Sequence, residues 1–280
     1  MSKYLRAAPY VTGNKYRLLP DILPHLLVEG RNTFIDLFGG SGCVTINVNE
    51  TGHFDNILYN ELDEHIFGLQ NYLLNNDNDF CIVSYLNKLY SKGKTDYLSL
   101  VKSYNKEPCY EKLFLLQCRS FSNGIRFDKK GKFDKPWGDR APFFLERMKE
   151  HQRLLKGVKL WNGDFREVCD EALVSGKGNQ TVIYIDSPYY LTNATYNEKG
   201  GWTQQDNTDL LSYVEKLIEK GFKVVMSNVY SNRGKVHQQL IDWCECNKDK
   251  VEVHHLDIDY GNSSFHKSTD KTDEVLLVSK

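Results

Sequence analysis

A chain of 280 residues, 40% hydrophobic and 26% charged, can bury a core and is too long for a minimal domain. No apolar run approaches the roughly 18 to 20 residues of a membrane span, and the opening MSKYLRAAPYV lacks the apolar stretch of an export signal. A net charge of −1 excludes a wholly basic nucleic-acid wrapper, and the seven cysteines are expected to be reduced thiols in a cytoplasm.

In chain order, residues 33–38 (TFIDLF) are predicted as a strand running into Gly39-Gly40-Ser41-Gly42. Helical spacing continues through Val48. A second strand is predicted at 56–59, ending at Asn60-Glu61. Residues 62–121 read as several helices, for example 111–117 (EKLFLLQ). Residues 124–134 read as a hairpin whose turn, Asp128-Lys129-Lys130-Gly131, places glycine at a left-handed position. Short strands follow at 157–161 and 180–185 (QTVIYI), the second ending at Asp186-Ser187-Pro188-Tyr189. A helix at about 206–220, a strand at 223–226 and a last strand at 274–278 complete the pattern. Alternating strands and helices imply an α/β fold with a mostly parallel sheet and helices on both faces. The block at about 62–155 interrupts the alternation. It reads as an inserted domain between the two parts, 1–61 and 156–280, of the other.

Three strand ends carry the first group of candidate residues. A glycine turn after a strand lets a ligand approach backbone, and the next helix offers N–H groups. Glu61 follows about 20 residues later, where open α/β folds place a carboxylate on ribose hydroxyls. Asp164-Phe165 pairs a carboxylate with an aromatic that could hold an adenine ring and its amine. Together they suggest a nucleoside pocket, although Gly40-Ser41-Gly42 alone is equally a structural turn. The missing third glycine disfavours a dinucleotide.

Asp186-Ser187-Pro188-Tyr189-Tyr190 carries the second. An aromatic exocyclic amine is a poor nucleophile. A carboxylate and a backbone carbonyl that accept hydrogen bonds from its two N–H groups would rehybridise the nitrogen, and a tyrosine can stack on the base. With a sulfonium donor no metal is required, because alignment does most of the work. Residues 119–140 set seven basic residues against three acidic ones, which suits a phosphate backbone or merely a solvated hairpin. Pro108-Cys109 reads as a helix start with a buried thiol. The histidines are scattered, and His254-His255 on a strand would face opposite sides, so no metal site is expected. Cys244 and Cys246 have the wrong gap for a zinc knuckle, and no disulfide is expected.

These residues resemble the Dam-type DNA N6-adenine methyltransferases, those of T-even phages most. The resemblance runs from Thr12-Gly13-Asn14-Lys15 and Leu18-Leu19-Pro20 through residues 34–40, Asn60-Glu61, Asp164-Phe165 and Asp186-Ser187-Pro188-Tyr189. It continues to Met226-Ser227-Asn228 and Thr272-Asp273-Glu274-Val275. Its most specific part is Phe121-Ser122-Asn123-Gly124-Ile125-Arg126, with Gly131-Lys132-Phe133 and Pro136-Trp137-Gly138, which is similar to the family's DNA-reading hairpin.

The resemblance implies a Rossmann-like S-adenosylmethionine-dependent domain with an inserted helical and hairpin recognition domain. It implies an adenine-specific methyltransferase acting on a flipped adenine in double-stranded DNA, within GATC. The chain would act as a monomer or weak dimer, in a prokaryotic cell or a phage-infected host. Catalysis would fall to Asp186, Ser187, Pro188, Tyr189 and Lys15. The donor would be held by Tyr10, Val11, Lys15, Asp36, Phe38, Gly40, Ser41, Gly42, Glu61, Leu62, Asp164, Phe165 and Asp186. DNA would be held by Arg119, the stretch from Phe121 through Arg126, Lys129, Lys130, Pro136 and Arg140, with Arg126 reading a guanine bidentately.

Three positions depart from the family. Ser187 replaces a proline, Val11 an aromatic and Gly124 a larger apolar residue. Two rival readings are a protein or RNA methyltransferase of the same fold, and a DNA-binding protein with a degenerate one. The basic hairpin argues against the former. The intact Asp186, Pro188, Tyr189 and Lys15 argue against the latter.

Overall fold

After a single turn at Tyr16–Leu18, the chain forms α1 (Leu19–Leu26), β1 (Thr33–Asp36), α2 (Cys43–Glu50), β2 (Asn56–Asn60) and α3 (Glu64–Leu74). Next come α4 (Cys81–Leu89), α5 (Gly93–Lys106), α6 (Tyr110–Arg119), α7 (Leu145–Leu155), β3 (Val158–Trp161) and α8 (Phe165–Ser175). The remainder is β4 (Thr181–Ile185), α9 (Gln204–Glu219), β5 (Lys223–Asn232), β6 (Lys235–Val236), α10 (Gln238–Cys246), β7 (Val251–Leu256) and β8 (Asp273–Ser279). This computed structural model describes residues 4–11, 13–76, 80–91, 93–138, 143–190, 201–232, 234–256 and 272–280.

Helix starts follow the side chains available to cap them. The Asp63 carboxylate accepts from His65 and Ile66 N–H at the head of α3, and Asp164 accepts from Arg166 N–H at the head of α8. Thr203 and Asp206 form a reciprocal capping box on α9.

The chain divides into two compact units. One comprises Met1–Arg17, Gly39–Gly52 and Glu61–Asn162; the other comprises Leu18–Phe38, His53–Asn60 and Gly163–Lys280. The boundaries read from the sequence group the chain differently. Hydrogen bonds within the first unit give the physical reason. The Asn47 amide on α2 holds both the N–H and the carbonyl of Leu5 at 2.8 Å, and the Asn49 amide donates to Leu154 O at 2.7 Å.

The second unit is built on a sheet. Its strands run in the order β2-β1-β4-β5-β8-β7, with β6 on β5. Pairing is parallel from β2 through β5, with Ile35 opposite Leu58 and Ile183. The pairings of β8 with β5 and with β7 are antiparallel. The expected mostly parallel sheet has its parallel part in β2 through β5 and continues into antiparallel strands, in a Rossmann-like α/β arrangement. All five residues of β4 are buried, as a strand covered on both faces requires.

The first unit is helical around one core of Leu69, Leu73, Tyr97, Leu113, Phe114, Leu116, Met148 and Leu155, among others. The expected hairpin forms without regular strands, with Asp134 N–H donating to Arg126 O at 3.1 Å. Residues 120–137 make two isolated antiparallel bridges, Ser120 with Trp137 and Phe127 with Phe133. The turn is the expected one. Asp128 N–H donates to Lys132 O at 2.8 Å, and Gly131 takes φ +73°.

Arg31 staples the second unit below its sheet. Its Nη1 donates to the carbonyls of Gly178, Thr181 and Gly221 at 2.7, 2.7 and 3.1 Å. Gly178 sits so close that an added Cβ would lie 1.9 Å from Lys220 O. Because backbone must move to admit it, Gly178→Ala is expected to destabilise the chain by about 3 kcal/mol or more. Urea unfolding measures this, and a loss below about 1 kcal/mol would contradict the packing described.

Candidate active site and nucleic-acid interface

In the first unit the glycine turn is held at one residue from both sides. Gly40 N–H donates to Glu61 Oε2 at 2.9 Å, and Gly40 O accepts from Gln70 Nε2 at 3.2 Å. Glu61 Oε1 accepts from Asp63 N–H at 2.8 Å. The Glu61 carboxylate is thus anchored on two backbone N–H groups. Gly40 takes φ +52°, and among the described residues no atom beyond its chain neighbours lies within 4 Å of where its Cβ would be, so a ligand can meet bare backbone there. Ser41 is buried and Leu62 is exposed. Lys15 is 7% exposed, with its Nζ on Gly13 O at 3.1 Å. Tyr10 is exposed and Val11 half-buried. Thr12 lies outside the described residues.

In the second unit, Asp36 is buried at the end of β1, and Leu37 N–H continues the ladder onto Tyr184 O at 2.9 Å. The Asn60 amide ties the neighbouring loops together. Its Nδ2 donates to Leu37 O at 3.0 Å and Gly163 O at 3.1 Å, and its Oδ1 accepts from Gly163 N–H at 3.2 Å. Phe38 and Phe165 rings meet at 5.5 Å. Trp202 joins them at 5.6 and 5.5 Å, a wall that nothing in the local sequence pattern announced. Asp164 is partly occupied. Its Oδ1 caps α8, and both oxygens accept from Arg166 Nη1 at 3.1–3.2 Å. Arg166 also pairs with Asp206 and Asp209, whose carboxyls sit below their ordinary range.

Asp186 is half-buried where β4 leaves the sheet. Ser187 is 2% exposed, and its Oγ finds no hydrogen-bond partner among the described residues. Pro188 and Tyr189 are half-buried, and Tyr190 is exposed.

The basic loop in the first unit is braced by α5. Tyr97 OH donates to Lys135 O at 2.6 Å, and Asn105 exchanges two bonds with the Phe133 backbone at 2.8 and 3.0 Å. Phe121 is exposed at the corner, where Ser122 and Asn123 take φ +56° and +52°. The corner is held by the Asn123 amide on Cys118 O at 3.0 Å and by Ser120 Oγ on Gly124 O at 2.7 Å. Lys135 Cε passes 2.8 Å from where a Gly124 Cβ would stand. Ile125 packs on the core. Arg126 Nε meets Asp134 Oδ1 at 2.7 Å, and Nη2 meets Asp134 O at 3.0 Å. Lys129, Lys130 and Pro136 are exposed. Arg119 stands apart from them. Its guanidinium is turned onto the end of α4, donating to Tyr90 O and to Asn87, and burial lowers its pKa. Arg140 lies outside the described residues.

The described residues contain no group of three or more His, Cys, Asp or Glu side chains able to hold a metal, and no helix long and apolar enough to cross a membrane. No disulfide joins any of the seven cysteines. The His254 ring lies 4.6 Å from that of His25 at a 43° tilt, whereas His255 meets Asp273 at 2.9 Å.

Residues 12–251 match the model of the D12 class N6 adenine-specific DNA methyltransferase family. Modification methylase StsI of Streptococcus sanguinis is 29% identical over 98% of this chain and 43% of its own length. Type II methyltransferase M.FokI of Planomicrobium okeanokoites is 26% identical over 99% of this chain and 43% of its own. The chain thus spans less than half the length of these relatives. Among solved structures, rRNA methyltransferase aviRa of Streptomyces viridochromogenes covers 98% of this chain and 89% of its own at 13% identity and a TM-score of 0.41.

Behind the glycine turn lies His151, 1% exposed, which burial pushes down to about 3 from its ordinary 6.5. The native ring is therefore neutral, while the unfolded ring takes a proton below about pH 6.5. Its contribution to stability is complete above that pH and is lost as pH falls towards about 3. By pH 5 the loss amounts to about 2 kcal/mol. Denaturant unfolding from pH 7.5 to 5 should show a slope that His151→Phe flattens. An unchanged slope would contradict neutral burial.

Proposed function

Because the chain belongs to the D12 class of N6 adenine-specific DNA methyltransferases, we propose that it transfers a methyl group from S-adenosylmethionine to N6 of an adenine flipped out of duplex DNA, within GATC. The observation that carries the chemistry is the place of Asp186-Ser187-Pro188-Tyr189, at the carboxyl end of the buried strand β4, next to β1. In open α/β sheets, ligands bind outside the carboxyl ends of strands where the order reverses.

The donor, when bound, supplies a methyl group already activated on a sulfonium. In the first unit, bare backbone at Gly40 and the Glu61 carboxylate suit its amino-acid part and its ribose; in the second, the Phe38–Phe165 aromatic face suits its adenine. Glu61 takes the ribose hydroxyls and Phe165 the adenine. Asp164 takes the adenine amine with the lone pairs that Arg166 leaves. Asp186 and the Ser187 backbone carbonyl accept hydrogen bonds from the two N–H groups of the target amine, which turns its lone pair out of conjugation. Tyr189 stacks on the base. Ser187 can replace proline because its part is played by backbone. Lys15 is assigned to the same chemistry.

Residues 62–155 serve as the target-recognition segment. Phe121 to Asn123 enter the stack beside the flipped adenine, Arg126 reads a guanine, and Lys129 and Lys130 meet phosphate. The Dam-type placement rests on this hairpin.

Asp186→Ala should lose a hundredfold or more in kcat, about what a missing transition-state acceptor costs, while donor and DNA affinity persist. A variant keeping a tenth of the wild-type kcat contradicts the assignment.

Long-read sequencing of DNA from expressing cells should place N6-methyladenine in GATC. In single-turnover assays, Arg126→Ala should lose about 1 to 3 kcal/mol of discrimination at the guanine of the fourth pair. The third pair should be read more loosely than the fourth, because Gly124 presents no side chain. A best site unrelated to GATC would show that the hairpin match does not carry specificity.

A further inference from the structure

The Gly40 carbonyl is the end of a buried chain of hydrogen bonds whose direction is set at its far end. Ala8 N–H donates to His151 Nδ1 at 3.1 Å. A backbone N–H can only donate, so Nδ1 is the acceptor of the ring and Nε2 carries the proton. His151 Nε2 then donates to Gln70 Oε1 at 2.8 Å, which turns the amide nitrogen of Gln70 toward Gly40 O at 3.2 Å. Gln70 is 0% exposed and His151 1%, so water cannot substitute for either partner. Gly40 N–H is fixed in turn by Glu61. One residue of the turn is therefore held at its N–H by a carboxylate and at its carbonyl by an oriented amide. The three supports come from three places: the N-terminal segment, α3 and α7.

We infer that Gln70 and His151 are positioning residues, which hold the Gly40 peptide in the shape that receives S-adenosylmethionine. The inference rests on reading the glycine turn as donor-binding. Neither side chain needs to touch the donor. The tautomer of His151, dictated by Ala8, selects the face that Gln70 presents, and that face sets the peptide. The arrangement links residue 8, shortly before Tyr10 and Val11, and helix α7, at the end of the segment assigned to recognition, to the same turn.

Two substitutions separate the links. Gln70→Met removes both bonds at similar volume. Gln70→Glu keeps an acceptor for His151 but has no proton to give Gly40. Calorimetry with S-adenosylmethionine should show both variants weakened about tenfold, the scale of one buried neutral hydrogen bond. With donor saturating, kcat should stay within about threefold, and duplex affinity without donor within about twofold, because neither depends on the resting shape of the turn. A merely structural role would instead lower stability with no selective change in donor affinity.

In the wild-type protein, nitrogen NMR of labelled histidine should show His151 as the neutral Nε2–H tautomer. This measurement needs no variant to fold, and the other tautomer or a charged ring would overturn the inference. Glu61→Ala is the control. If it weakens the donor while both Gln70 variants bind normally, the positioning role is wrong and the donor site stands. If Glu61→Ala also leaves donor affinity unchanged, the reading of the turn falls and the inference with it.

Discussion

A strand covered on both faces can present chemistry only at its ends, and β4 is such a strand. Its residues from Thr181 to Ile185 are all buried, paired in parallel with β1 on one side and β5 on the other. Asp186 therefore emerges at a point that the sheet determines. The ladder between β1 and β4 runs one residue past β1 through Leu37 N–H. Asn60 then binds Leu37 and Gly163 with a single amide. The loop mouths are thus tied to the sheet by hydrogen bonds. Chemistry that depends on alignment gains most from such ties, because small misplacements cost large factors in rate.

The basic loop reaches rigidity by another route. It lacks a regular ladder and depends on clamps from α5, through Tyr97 and Asn105. At its corner two consecutive non-glycine residues hold positive φ. Such backbone persists only where the surroundings over-determine it. Here Asn123, Ser120 and the close approach of Gly138 to the Phe121 backbone do so. An added Cβ at Gly138 would lie 2.7 Å from Phe121 Cα, which explains the glycine.

Much of this was legible in the sequence, for particular reasons. The run TVIYI is β-branched or aromatic throughout and so reads as a buried strand. Asp164 is a helix cap as well as a candidate ligand, and capping residues announce themselves locally. The turn at Gly131 follows from backbone geometry. The antiparallel half of the sheet was less legible, because β5 continues to Asn232 through polar residues that pair with β8. The hairpin pairs only locally, by Asp128 N–H on Lys132 O, Asp134 N–H on Arg126 O and the Phe127–Phe133 bridge, and takes its other support from α5. Arg119 looked like one more cation in a basic stretch, yet distant carbonyls on α4 claim it. Gln70, His151 and Trp202 left no signal. Their partners lie far away in sequence, and no periodicity marks a hydrogen bond between residues 70 and 151.

The order of strands also bears on how the molecule is made. The strand latest in sequence, β8, does not lie at an edge. It sits between β5 and β7, and the described pairing of β7 is with β8. During synthesis, β2, β1, β4 and β5 can pair as soon as they leave the ribosome, but β7 has no neighbour to join until residues 273–279 follow it. Until then the β5 edge is open, a row of unpaired backbone groups that invites pairing with another chain. Only once β8 has paired with β5 is that edge covered.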